Sequence, residues 1–180
     1  MMTQINGGEG DLTARVQARA LTTLGYEMYA VASGIAYQAS FVSEGTLADN
    51  ADFALGVKCN DKDWAVVAEP NGDSTDPFFH FTFRENIDFQ RHGQGSSIYV
   101  SNRNRNFPDA SGLIVTRALN YNSAKKTVEI ATGVLGGNSV GPIVLKKNVW
   151  SAFQITNRSG GAIEVGLSLK FYRLDDLVTV

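Results

Sequence analysis

The sequence predicts an all-β fold: an antiparallel β-sandwich of jelly-roll type, residues 26–180, entered through an extended N-terminal arm, residues 1–25. Three observations predict it. In Ile163, Val165, Leu167, Leu169 and Phe171 every odd position is large and apolar, while Glu164, Gly166, Ser168, Lys170 and Tyr172 fall between them. That period of two belongs to a strand with one buried face. Eighteen glycines against four prolines suit short strands joined by turns better than long helices. Finally, about nine or ten short apolar runs follow one another with turn residues between them, and none reads as a crossover helix.

Taken in order, residues Met1 to Asp11 are polar and without period, which fits an arm. Leu12, Val16, Ala20 and Leu24 share a helical face, yet Thr22-Thr23 and Gly25 oppose a long helix. The segment is therefore extended or a single short helix. Gly34 to Phe41 reads as the first strand, and Glu44-Gly45 and Asp49-Asn50 as turns. Phe53, Leu55 and Val57 alternate with small or polar residues in a second strand, and Trp64 to Ala68 makes a third. Glu69 to Pro77 is the strongest loop signal in the chain. Phe79, Phe81 and Phe83 then share one face of a fourth strand, as core or as subunit interface.

Ile98 to Val100 leads into a polar run, and strands are expected at Leu113–Leu119, Thr127–Val134 and Ile143–Leu145, with turns at Asn120–Ser123 and Gly136–Asn138. Val149, Ser151, Phe153 and Ile155 alternate with Trp150, Ala152, Gln154 and Thr156. Asn157 to Gly161 separates that run from the closing strand, so the two read as a β-hairpin. Its other row, with Trp150, Gln154, Thr156, Glu164 and Lys170, is expected to face solvent or a sister subunit.

The chemistry of the chain is restrained. A formal charge of −2 provides no global field for nucleic acid or an anionic membrane, and no run approaches the ~18 apolar residues needed to cross a bilayer. Neither nucleic acid nor membrane is expected as a partner. The first residues lack a basic start and an apolar core, so no secretory leader is expected. Cys59 is the sole cysteine and reads as a buried strand residue. His80 and His92 have no second ligand at metal spacing, and no nucleophile-elbow, zinc-protease or phosphate-loop motif is present. No catalytic residue, cofactor or metal site is expected. Asp49, Asn50, Asp52, Asp61, Asp63, Asp73 and Asp76 carry oxygen ligands suited to calcium but lack the helix-loop-helix spacing, and read as turn formers. The run Asn102 to Asn106, NRNRN, is the most unusual polar stretch. In an extended chain its two arginines project to one side, so Arg103, Asn104, Arg105 and Asn106 form a multi-donor surface for a protein partner or for oligomer mates.

In order, ARVQARALTT, GIAYQASF, ADFALGVK, the mid-chain NRNRN and the closing W-x-x-F-x-I-T-N-x-S-G-x-x-I-x-V-x-L-x-L-x-F-Y-R resemble β-rich virion proteins of tailed bacteriophages, of the capsid-decoration and head-fibre type. The resemblance implies a non-enzymatic homotrimer on the capsid surface of the virion, assembled in the host cytoplasm. It would bind the major capsid protein or another virion protein through the arm, with Leu12, Arg15, Val16 and Arg19 in the attachment segment. Arg103, Asn104 and Arg105 fall in the mid-chain motif, and Phe153, Ile155, Val165 and Leu167 in the core. The chain lacks the glycine-repeat or heptad stalk of a fibre, which favours a compact cap. The alternative is a carbohydrate- or receptor-binding module, in which Tyr99, Trp64 or Trp150 stacks on a sugar.

Overall fold

The computed structural model describes residues 27–60, 62–91, 97–109, 112–122 and 128–174. The described residues hold twelve strands: β1 (Ala36–Val42), β2 (Asp52–Cys59), β3 (Trp64–Gly72), β4 (Phe78–Glu85), β5 (Asp88–Arg91), β6 (Ser97–Ile98), β7 (Ser101–Asn102), β8 (Leu113–Asn122), β9 (Val128–Leu135), β10 (Val140–Leu145), β11 (Trp150–Asn157) and β12 (Val165–Arg173). They form two antiparallel sheets. One has the order β10-β3-β12-β1-β7; the other has β5-β8-β2-β11-β4-β9, with β6 also paired to β8. The chain alternates between the sheets from β1 to β4 and again from β9 to β12.

Their inner faces meet in one apolar core that holds the expected rows. Phe79, Phe81 and Phe83 are at most 2% exposed, which makes their face core. Val165, Leu167, Leu169 and Phe171 are buried opposite them. Phe41 of β1 stacks on Phe53 of β2 across the sandwich, centroids 5.8 Å apart. Within the second sheet Phe153 lies 5.1 Å from Phe83 and 6.3 Å from Phe81.

The hairpin expectation is overturned. β11 pairs with β2 and β4, whereas β12 pairs with β1 and β3, so the two closing strands lie in different sheets. The connection between them crosses the edge of the sandwich. There Ile163 bridges Leu47, and the Asn157 amide donates to the carbonyls of Leu47 at 2.9 Å and Gly161 at 2.7 Å. Alternation fixes which face of a strand is buried, not which strand it pairs with.

Other differences have local causes. β3 runs on to Gly72, through Pro70, where a loop is expected. β10 pairs with β3 only as far as Ala68, so at Pro70 that flank needs no donor, and the Pro70 carbonyl accepts from the Gly137 amide at 2.9 Å. Asn120 to Asn122 extends β8 and pairs with β5 instead of turning. Gln154 and Thr156 are 6% and 7% exposed, not solvent-facing: β11 has strands on both flanks, and the Thr156 hydroxyl donates to Asp52 at 2.6 Å.

A short helical turn over 27–32 precedes β1. Glu, Met and Ala favour it. It ends in a Schellman cap: Gly34 N–H donates to Val31 at 3.1 Å, Ile35 N–H to Ala30 at 3.0 Å, and Gly34 takes φ +69°. Ala30, Ile35, Ala36 and Tyr172 form a second apolar cluster on the outer face of the five-stranded sheet. The turn is thereby fastened to the sandwich.

Candidate interaction site

Residues 103–109 follow the two-residue edge strand β7, which holds β1 by the pairs Tyr37–Asn102 and Gln38–Ser101. They are a folded loop of turns, not the extended run that would send both arginines one way. Asparagine amides compete with strand ladders by bonding nearby backbone, and here they do so repeatedly. Asn102, 1% exposed, donates to the carbonyls of Gly34 at 2.9 Å and Pro108 at 3.0 Å. Its Oδ1 accepts from the Asn104 amide at 2.9 Å, and Asn104 Oδ1 accepts in turn from the Asn106 amide at 3.1 Å. Asn104 Nδ2 reaches the carbonyl of Ala32 at 3.3 Å. The loop is thus latched to the end of the helical turn, and the Phe107 ring covers Gly34 where a Cβ would lie 2.4 Å from its Cγ.

The four predicted contact residues divide. Arg103 turns inward and pairs with Glu27 at 2.5 Å, and Asn104 is used in the latch. Glu27 also lies 3.3 Å from Lys170, which is 2.7 Å from Glu69. The charges alternate along this chain, so each steadies the next. The hydrogen bond from Arg103, with Lys170 nearby, holds the Glu27 carboxyl below its ordinary range. The hydrogen bond to Glu69 raises Lys170. Arg105 and Asn106 instead face outward, Arg105 at 71% side-chain exposure with Asp109 at 3.3 Å.

Two residues that the sequence did not single out for this surface complete it. Tyr99, a sugar platform in the alternative reading, is 68% exposed, and its hydroxyl donates to Asp109. The other carboxylate oxygen of Asp109 accepts from the Asn102 amide at 2.7 Å. The Tyr99 bond holds the Asp109 carboxyl below its ordinary range and pushes the phenol up. The Asp-Tyr bond holds an exposed ring in place, a role that the apolar pattern Ile98-Tyr99-Val100 conceals. Phe107, 43% exposed, is the second.

Elsewhere, Trp64 is buried at 1% and Trp150 is half-buried, so of the three aromatics considered as sugar platforms Tyr99 is the open one. Cys59 is buried, burial pushes its thiol up, and its Sγ–H donates to the Lys146 carbonyl at 3.4 Å. Asp49, Asp52 and Asp73 accept hydrogen bonds from Gly160, Thr156 and Glu164, partners far away in sequence, so these carboxylates tie separate loops and strands together instead of bonding within their own turns. Among the described residues no group of three or more His, Cys, Asp or Glu could hold a metal ion, and no helix is long and apolar enough to cross a membrane. Asp61, His92 and the attachment residues Leu12, Arg15, Val16 and Arg19 lie outside the described residues. No protein-family model matches the chain, and no curated protein matches it either.

Proposed function

We propose that the sandwich is a jelly roll and that the chain is a non-enzymatic structural protein of a virion, a trimeric cap that binds the capsid shell through its N-terminal arm. The strand order carries this reading. β1-β12-β3-β10 faces β2-β11-β4-β9, and the chain crosses between sheets at every step from β1 to β4 and from β9 to β12, the double Greek key of capsid and lectin jelly rolls. The inserted strands β5, β6 and β8 widen one sheet, and β7 adds an edge to the other beside β1, which brings the 103–109 loop there. The likeness of the closing strands and the NRNRN run to decoration and head-fibre proteins selects the virion from among the uses of this fold. Co-sedimentation with shells assembled from the cognate major capsid protein tests it. Saturable pelleting of a species three times the 19.5 kDa chain mass is expected, and absence of binding would contradict it.

A further inference from the structure

Six large apolar side chains are exposed among the described residues: Met28, Val42, Phe78, Tyr99, Phe107 and Val144. Three of them belong to one corner. Met28 is on the helical turn, Phe107 lies over the Gly34 cap of that turn, and Tyr99 is tied to the same loop through Asp109. Arg105, exposed beside Asp109, adds a guanidinium. Tyr, Phe, Met and Arg are the residue types enriched at protein interfaces, where Tyr and Arg also dominate binding energy.

The corner is also pre-organised. Asn102, Asn104 and Asp109 spend their polar groups inside the loop, so the backbone that presents Tyr99, Arg105 and Phe107 is fixed before any partner arrives. Fixing a contact surface in advance removes an ordering cost from binding. The chain itself supplies the argument for the occupant. Residues 1–26 join the described structure at Glu27, and Glu27 is ion-paired to Arg103 of this loop. A segment of that length reaches at most about 90 Å at ~3.3–3.6 Å per residue, so a shell protein gripped by the arm lies within that distance of this corner, and nearer the closer to Glu27 the grip falls. Two contacts on one partner reinforce each other through effective concentration.

We infer that Met28, Tyr99, Arg105 and Phe107 form a second contact for the same shell protein that the arm engages, docking into an apolar hollow bordered by a carboxylate or carbonyl for Arg105. This rests on the shell-binding reading above and adds a site to it. The test is quantitative co-sedimentation of full-length variants with shells of the cognate major capsid protein, with native mass and thermal midpoint measured in parallel. Tyr99→Ala and Arg105→Ala should each weaken shell binding by roughly tenfold or more while native mass and midpoint stay near the parent's. Tyr99→Phe, which keeps the ring but loses the hydroxyl that ties it to Asp109, should bind more tightly than Tyr99→Ala and more weakly than the parent, and Val144→Ala on the far edge strand should bind like the parent. If Tyr99→Ala and Arg105→Ala bind like the parent while Leu12→Ala/Val16→Ala loses affinity, the second contact is refuted and arm attachment stands. If they lower native mass without changing shell binding, the corner joins copies of this chain and the inference is overturned. If the intact chain does not bind shells, the shell reading and the inference fall together.

Discussion

Asn102 holds together more of the loop than any charged neighbour does. Its buried amide serves two carbonyls and its oxygen one backbone amide. Replacing it by alanine leaves those groups without a partner, and Asn102→Ala is expected to cost about 1–3 kcal/mol in urea unfolding. A loss under ~0.5 kcal/mol would show that the loop does not depend on it. Gly34 is limited in two ways, by its positive φ and by the Phe107 ring. Gly34→Ala therefore carries about 1–2 kcal/mol of left-handed strain and displaces the ring as well. The alanine variant should melt earlier than the parent and expose Phe107 to solvent. Glu27 supplies a pH signature. Its folded carboxyl is held below the ordinary 4.5, so its ion pairs add stability above that value and lose it as pH falls through the folded pKa. Lys170 behaves in the opposite sense, adding stability below 10.5 that is lost as pH rises through its raised pKa. In pH-dependent unfolding, Glu27→Gln should be less stable than the parent at neutral pH and converge with it in acid. A gap of constant size down to pH ~3 would contradict the pairing.

At the scale of elements, the buried row of β12 lies centrally between β1 and β3. Leu167→Ala should cost about 2–5 kcal/mol, since Leu167 is 1% exposed. Ser168, one residue on, faces outward beside Ser40 of β1, the two hydroxyl oxygens 2.9 Å apart. Directly opposed positions on adjacent strands satisfy disulfide geometry. Ser40→Cys/Ser168→Cys should therefore close on mild oxidation, whereas Trp150→Cys/Ser168→Cys, a pair that a hairpin centred on Ser159 would oppose and that the sandwich places on different sheets, should keep both free. Thiol counting distinguishes a β1–β12 ladder from a β11–β12 hairpin. The buried faces of β2, β4, β11 and β12 were legible in the sequence because alternation writes the face directly. Partners were not, because the same alternation serves a hairpin and a crossing between sheets equally well. The helical turn before β1 was missed for a related reason: six residues are too few to show a period, and its stability comes from the Gly34 cap and from packing on Tyr172. In the NRNRN run the composition was legible as a polar surface. Its shape was not, since the asparagines bonded the backbone and turned Arg103 away from Arg105.

At the scale of the molecule, the inserted strands bring together features far apart in sequence. Glu27, the 103–109 loop and the outer rows of β1 and β12 share one side of the five-stranded sheet. The proposed grip on a shell, by an N-terminal arm entering at Glu27 and by the rigid corner, requires both on the same side. Cryo-electron microscopy of shells of the cognate major capsid protein, incubated with the intact chain, tests that account most directly. It predicts added trimeric sandwich density on the outer surface, with the corner of Met28, Tyr99, Arg105 and Phe107 turned toward the shell. Shells unchanged by the incubation, or density bound by the opposite side of the sandwich, would contradict it.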